Sequence, residues 1–252
     1  MTTSTDRIRF ATAAGSAVPA LSVAEMREVD RIAVEQTGPT LLQMMEHAGL
    51  ELALTAIDML GEGWREARVL VLAGTGGNGG GGVCGARQLA NRGVDVTVVS
   101  VTHPKRSDGA LGEQFLALSE TPARVIRSGD AFDAAAYDLV IDAVIGYSLD
   151  GPPRAMQMGL IRAAGASGAP VLSLDVPSGI DADTGEAPGV AVRATRTLTL
   201  ALPKRGLAEE NAGELWVADL GIPAGVFARA GVTFEPFFGG QSRLRLEYPS
   251  ER

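Results

Sequence analysis

Short apolar runs recur along this chain from residue 68 onward, and they constrain its fold more than any other feature. Each run is almost continuous in its apolar character, which is typical of strands in a parallel sheet that is covered by helices on both faces. The runs lie at residues 68–73, 94–101, 123–126, 139–145, 170–176, 197–202 and 215–218.

Helical stretches fit between most of these runs, at residues 82–92, 110–120, 131–136 and 154–166. Two further helices are predicted before them, at residues 22–37 and 40–60, and Ser22 with Glu25 forms a capping-box pattern at the start of the first. Because strands and helices alternate, we predict a parallel α/β sheet with extra N-terminal helices. We assign residues 21–235 to one domain, residues 1–20 to a flexible N-terminal segment and residues 236–252 to a C-terminal tail. The end of the chain, residues 234–252, has mixed character and is interpreted as either a peripheral strand or a tail.

Composition argues against several classes of function. The 22 basic and 30 acidic side chains give a net charge of −8, which repels phosphate backbones, so no nucleic acid is expected as a partner. No apolar run approaches the roughly 20 residues of a membrane helix, so no membrane partner is expected either. The single cysteine, Cys84, can form neither an internal disulfide nor a multi-cysteine metal site. We therefore expect a cytoplasmic protein.

A glycine-rich segment follows the first predicted strand. Seven of the nine residues at positions 74–82 are glycine, and we interpret the segment as a loop that leads into a helix at residue 82. Glycine lets a backbone approach a ligand closely, and a helix N-terminus attracts anions, so the segment predicts a phosphate-binding site. It lacks the Gly-Lys-Ser/Thr ending of nucleotide triphosphatases. The next strand does not end in the acidic residue of a classical dehydrogenase.

Polar residues follow or interrupt the other predicted strands. Ligands of parallel α/β sheets bind at the carboxyl ends of the strands, where Asn78, Asp142 and Ser178 offer oxygen atoms that suit a hard cation. Alternatively, Asp142 is a carboxylate satisfied by nearby backbone N–H groups. Lys204 follows another strand and is either a phosphate contact, a group that shifts the pKa of a neighbour, or a surface lysine.

Several segments of this chain resemble the YjeF N-terminal domain family, the NAD(P)H-hydrate epimerases, and they occur in the same order as in that family. The resemblance covers roughly residues 20–223 and includes the specific Asp-x-Pro-Ser-Gly pattern that begins at Asp175. It implies a Rossmann-like three-layer α/β sandwich with a mostly parallel sheet. The segments are residues 21–30, 41–49, 74–82, 142–146, 175–185, 203–207 and 219–223.

The resemblance also implies an activity and a site. Family members interconvert the R and S forms of NAD(P)H hydrated at ring carbon 6, a step of nicotinamide nucleotide repair. Asp175 would be the catalytic acid/base, and Asn78, Asp142 and Ser178 would hold a potassium ion. A homodimer and a separate NAD(P)H-hydrate dehydratase are the expected partners. The expected substrate-binding residues are Gly77, Asn78, Gly79, Gly80, Gly81, Gly146, Tyr147, Ser148, Leu149, Asp150, Gly151, Pro152 and Lys204.

Two loop positions depart from the family pattern. Gly77 and Gly81 stand where the family has asparagine and aspartate. One alternative is therefore a catalytically impaired nucleotide-binding or protein-interaction module on the same fold, and another is an epimerase of a different nucleotide derivative. The presence of Asp142, Asp175 and Ser178 favours the enzyme.

Overall fold

A ten-stranded sheet organises the computed structural model, which describes residues 7–249. All seven strands predicted from the apolar runs are present, and three more lie near the chain ends. The strands are β1 Arg9–Thr12, β2 Ala17–Pro19, β3 Arg68–Ala73, β4 Asp95–Ser100, β5 Arg124–Arg127, β6 Leu139–Ala143, β7 Val171–Leu174, β8 Arg196–Leu200, β9 Glu214–Ala218 and β10 Arg243–Glu247.

Seven α-helices connect or flank these strands within the described residues. Capping boxes at Ser22 and Thr40 begin the first two, because each hydroxyl accepts an N–H bond from the residue three positions on. The helices are α1 Val23–Ile32, α2 Leu41–Leu60, α3 Gly77–Ala90, α4 Gly109–Leu118, α5 Ala155–Ala166, α6 Glu209–Ala212 and α7 Ala224–Arg229.

The strand order is β2-β1-β10-β9-β8-β7-β6-β3-β4-β5. Strands β3 to β9 pair in parallel, and β1, β2 and β10 extend the sheet in antiparallel pairs beyond β9. The predicted Rossmann-like, mostly parallel α/β sandwich is confirmed. From β3 the chain continues to β4 on one side of β3, and it later returns to the other side of β3 at β6. The adjacent strands β3 and β6 therefore form a topological switch point, where ligands bind in such folds.

Alternation along β3 shows how the two faces are covered. Val69, Val71 and Ala73 pack with residues of α2 and α3, whereas Leu70 and Leu72 pack with residues of α5. All five side chains are buried, because a central parallel strand has helices on both sides.

The chain ends differ from the prediction. The segment expected to be flexible contains β1 and β2, and the expected tail contains β10, which lies between β1 and β9 inside the sheet. Phe10, Val18 and Leu246 are buried in one core cluster, and this burial orders both segments. Residues 1–6 and 250–252 of those two predicted segments lie outside the described residues.

The glycine-rich segment is also different from the prediction, because α3 begins at Gly77 rather than at residue 82. Glycine is required there by close packing. A Cβ atom at Gly79 would lie 2.1 Å from the Gly74 carbonyl oxygen, and one at Gly82 would lie 2.4 Å from the Ala143 Cβ. The glycines thus allow the first turns of α3 to press against the sheet edge.

Two other predicted helices are shorter in the structure. The helix expected at residues 131–136 is a single 3-10 turn at Ala134–Ala136. In the region expected to be helical at residues 22–37, the α-helix ends at Ile32 and a π-helical turn follows at Ala33–Thr37. Among residues 7–249, no helix combines the length and the apolar character needed to cross a membrane.

Two alanine substitutions at the start of α3 test the packing explanation. We expect Gly79→Ala to lower the free energy of unfolding by roughly 1–3 kcal/mol, since its methyl group would overlap the Gly74 carbonyl. Gly77→Ala is the control, because the nearest atom to its Cβ, the Met45 Cε, is 3.9 Å away, and alanine favours a helix over glycine. Denaturant unfolding measures both, and equal effects would contradict the explanation.

Candidate functional site

A cavity of about 490 Å³ lies at the carboxyl ends of β3, β6, β7 and β8, and residues of α1 and α2 contribute to its wall. Predicted site residues that line it are Gly77, Asn78, Gly81, Gly146, Tyr147, Ser148, Leu149, Asp150, Pro152, Asp175 and Lys204. Gly79, Gly80, Asp142, Gly151 and Ser178 are described but do not line it.

Asp175 and Lys204 form a buried ion pair in this cavity. The Lys204 Nζ lies 2.5 Å from the Asp175 Oδ1, and the two side chains are only 1% and 5% exposed. The same Nζ donates to the Leu200 carbonyl at 2.8 Å. The backbone N–H of Tyr147 donates to the other carboxylate oxygen of Asp175 at 3.0 Å. Two donors from different elements therefore fix this carboxylate, and the interpretation of Lys204 as a surface lysine is wrong.

The backbone at this sheet edge is unusual. Asp175 directly follows β7 and has a φ of 70°, and Ala201 directly follows β8 and has a φ of 62°. They are the non-glycine residues with positive φ among residues 7–249. Such conformations cost free energy and concentrate at functional sites. Here they turn two neighbouring strand ends so that Asp175 and Lys204 meet.

Asp142 is completely buried at the end of β6. Its carboxylate accepts bonds from the Ser178 hydroxyl at 2.5 Å, the Ser178 N–H at 2.8 Å, the Ser173 hydroxyl at 2.8 Å and the Val144 N–H at 3.3 Å. Burial raises the pKa of Asp142, and these hydrogen bonds oppose that rise. Backbone N–H groups therefore satisfy Asp142 only in part, since two hydroxyls also contribute.

Asn78 presents an unusual polar group in the first turn of α3. Its amide nitrogen and oxygen are both buried, and neither has a hydrogen-bond partner among the described residues. A Cβ atom at Gly146 would lie 3.2 Å from the Asn78 Oδ1 and 2.9 Å from the Asp175 Oδ2. The absence of a side chain at Gly146 thus leaves a gap that both polar groups border.

Asp30 and Arg154 also line the cavity, and neither is among the site residues predicted from the sequence. The Tyr147 hydroxyl donates to the Asp30 Oδ2 at 2.5 Å. Burial raises the pKa of Asp30 and also that of Tyr147. The available signal for Asp30 was its position at the end of the first segment that resembles the family, within a helix otherwise interpreted as structural.

Comparison with known proteins shows the family of this chain. The family model described as the YjeF-related protein N-terminus matches residues 41–206. This chain belongs to that family. An NAD(P)H-hydrate epimerase of Dehalogenimonas lykanthroporepellens is 47% identical over 240 residues, which cover 92% of this chain and 95% of that protein. An NAD(P)H-hydrate epimerase of Truepera radiovictrix is 37% identical, with coverage of 90% and 100%.

Two further comparisons give a longer relative and a structural neighbour. The bifunctional NAD(P)H-hydrate repair enzyme Nnr of Thermofilum pendens is 34% identical over 80% of this chain, which corresponds to 40% of that protein. The crystal structure of the yeast protein YNL200c matches with a TM-score of 0.76 and 23% identity, covering 90% of this chain and 99% of that one. The yeast structure supports the fold alone.

Removal of the lysine tests the buried ion pair. Lys204→Met leaves the Asp175 carboxylate buried without its cation, so we expect a loss of roughly 3–5 kcal/mol in the free energy of unfolding at pH 7. Arg205→Met is the control, because the Arg205 side chain is 36% exposed in its pair with Glu25 and should contribute roughly 0–1 kcal/mol.

A double variant separates charge from packing in the same experiment. Adding Asp175→Asn to Lys204→Met removes the unpaired charge, so we expect it to restore most of the lost stability. Denaturant titration measures all the variants. If Lys204→Met costs no more than Arg205→Met, the ion pair does not have the structural role described here.

Proposed function

We propose that this chain is an NAD(P)H-hydrate epimerase whose acid/base is Asp175. Relatives that align with nearly all of this chain have that name, and the activity is an isomerisation in nicotinamide nucleotide repair. The observation that carries the assignment of Asp175 is its fixed carboxylate in the cavity, between the Lys204 ammonium and the Tyr147 N–H.

The reaction requires a proton donor and acceptor at one carbon. Ring carbon 6 of the hydrate has a hydroxyl and is bonded to the ring nitrogen. If that hydroxyl leaves with a proton from an acid, the nitrogen lone pair stabilises the resulting cation. Addition of water to the opposite face then gives the other epimer. A carboxyl group within hydrogen-bond reach can protonate the leaving oxygen or deprotonate the entering water.

The cavity also has features that suit a dinucleotide. Thr75, Gly76 and Gly77 line it at the N-terminus of α3, where unpaired N–H groups and the helix dipole favour phosphate. Arg154 adds a positive charge to the cavity wall, next to the segment of residues 146–152. These groups would hold the phosphates while the nicotinamide ring reaches Asp175.

The oxygen atoms beside the cavity are of the kind that would hold a potassium ion. Asn78 has a buried carbonyl oxygen without a partner, and Asp142 is a buried carboxylate. The Ser178 hydroxyl accepts the Ile145 N–H at 2.8 Å and has a further lone pair. Hard cations prefer such oxygen ligands. Asn78, Asp142 and Ser178 would hold the ion, whose positive charge would offset the cost of burying the Asp142 carboxylate.

A binding module without catalysis is the second candidate. Gly81 favours it, because a Cβ there would lie 2.8 Å from the Leu174 Cδ2, and Leu174 therefore occupies the space of the family's aspartate side chain. The buried ion pair at Asp175 favours the enzyme. The separate dehydratase, the homodimer and the cytoplasmic location stay predictions.

Asp175→Asn tests the acid/base assignment. We expect conversion of R-NAD(P)H-hydrate to the S form to fall by about 10² to 10⁴-fold, because the amide cannot exchange the proton. Chromatography of the epimers measures the rate above the spontaneous one. Asp183→Asn is the control, because Asp183 is close in sequence but does not line the cavity. A folded Asp175→Asn protein that retains the wild-type rate would refute the assignment.

Thermal unfolding in different salts tests the cation site. We expect a higher midpoint in potassium chloride than in tetramethylammonium chloride at equal ionic strength. At a potassium concentration ten times the dissociation constant, the bound ion would add ~1.4 kcal/mol to the free energy of unfolding. The difference should disappear in Asn78→Ala and persist in Asn91→Ala, which changes an exposed asparagine at the other end of α3. Equal midpoints in the two salts for the wild type would exclude the site.

A further inference from the structure

Tyr147 contacts two carboxyl groups of the cavity, one at each end of the residue. Its backbone N–H donates to Asp175 at 3.0 Å, and its hydroxyl donates to Asp30 at 2.5 Å. Asp30 comes from α1 and Asp175 from the end of β7, so the two carboxyl groups enter the cavity from different elements. The length of a tyrosine residue separates them.

Inversion at ring carbon 6 needs chemistry on both faces of the ring. The oxygen leaves from one face of a planar cation, and water enters at the other. Asp175 is held by Lys204 and by the Tyr147 N–H, so its carboxylate is fixed and can reach only one face. In inverting glycosidases, an acid and a base on opposite faces are about 6.5–9.5 Å apart, which leaves room for the water. A second proton-exchanging group across the cavity would serve the face that Asp175 does not reach.

We propose that Asp30 is a second catalytic acid/base, which serves the ring face opposite Asp175, while Tyr147 positions it. This proposal rests on the proposed epimerase function and deepens it. The other carboxyl group that lines the cavity, Asp150, is exposed. Within the described residues, it forms no hydrogen bond with Tyr147.

The two steps balance without any further reactant. In the first, the Asp30 carboxylic acid gives its proton to the hydroxyl on carbon 6. The carbon–oxygen bond breaks with its electron pair leaving on water, and the nitrogen lone pair forms a double bond to carbon 6. In the second, water attacks carbon 6 from the other face, the double-bond pair returns to nitrogen, and the Asp175 carboxylate takes the proton. Solvent returns that proton to Asp30, and the opposite direction reverses the roles.

The surroundings of Asp30 suit an acid. Burial raises the pKa of Asp30, the negative charge of Asp175 adds to the rise, and the Tyr147 hydroxyl and the Lys204 ammonium oppose it. The positive charge of Arg27, on the same helix as Asp30, opposes the rise in the pKa of the Tyr147 hydroxyl. A raised pKa keeps a larger protonated fraction near neutral pH than an exposed aspartate has. Asp175, by contrast, is paired as a carboxylate with Lys204.

Inversion and oxygen exchange distinguish a two-sided mechanism from a structural role of Asp30. Each epimer is incubated with Asp30→Asn in ¹⁸O-labelled water. We expect inversion to fall by about 10² to 10⁴-fold, whereas the epimer whose hydroxyl faces Asp175 still exchanges its oxygen with retention. Asp175→Asn should show the converse, with exchange confined to the other epimer.

Two more variants complete the experiment. Tyr147→Phe keeps the Asp30 carboxyl but removes its hydrogen bond, so we expect a smaller loss of kcat than in Asp30→Asn and a shifted pH profile. Glu28→Gln is the control on the same helix, since Glu28 pairs with Arg31 at the surface and should leave the rate unchanged.

Three results would overturn the proposal or its basis, and they can be told apart. Unchanged inversion in Asp30→Asn would show that Asp30 has no catalytic role. Equal loss of inversion and of exchange for both epimers would show that Asp30 only supports the structure. Failure of the folded wild-type protein to invert either epimer would refute the proposed function itself.

Discussion

The ion pair between Asp175 and Lys204 is the constraint on which the site depends. Both side chains are almost fully buried, and a buried charge costs several kcal/mol unless a partner and hydrogen bonds compensate. The chain meets this condition by bringing the ends of β7 and β8 together, with positive φ at Asp175 and Ala201. The strain and the burial are localised where a dinucleotide would bring its reactive carbon, which is typical of a functional site rather than of a stabilising core.

The glycines near the ion pair have a packing role that also shapes the site. Gly79 and Gly82 let α3 approach the sheet, and this approach brings Asn78 to the gap beside Gly146 and Asp175. A helix with larger residues would stand farther from the sheet and would move its N-terminus away from the cavity. The same glycines therefore serve the proposed phosphate site and the buried amide.

The central fold is predictable from the sequence because its signals are local. The bounds of β3 were correct, since the run that Arg68 begins is apolar up to Ala73 and Gly74 ends it. The start of α3 was wrong because glycine has a low helix propensity, and the close contacts that require it come from distant residues. The strand that contains Phe10 was missed and the one that contains Leu246 was left open between a strand and a tail, since short segments acquire their structure only by joining the sheet.

The site was predictable to the extent that strand ends and family motifs mark it. Asp175, Asn78 and Lys204 follow strands, and the structure brings them to one cavity. The pairing of Lys204 with Asp175 depends on the tertiary contact of β7 with β8, which no local pattern indicates. Asp30 was missed for a similar reason, because Tyr147, which connects it to the cavity, lies 117 residues away in the chain.

The most direct test of the account is the origin of the oxygen on carbon 6 after inversion by the wild-type protein. The reaction is run in ¹⁸O-labelled water, and the product epimer is analysed by mass spectrometry before spontaneous exchange becomes significant. Loss and readdition of water predict one ¹⁸O atom in every inverted molecule. Inverted product that retains its original oxygen would instead show opening of the ring at the carbon–nitrogen bond, and it would contradict the mechanism built on Asp175.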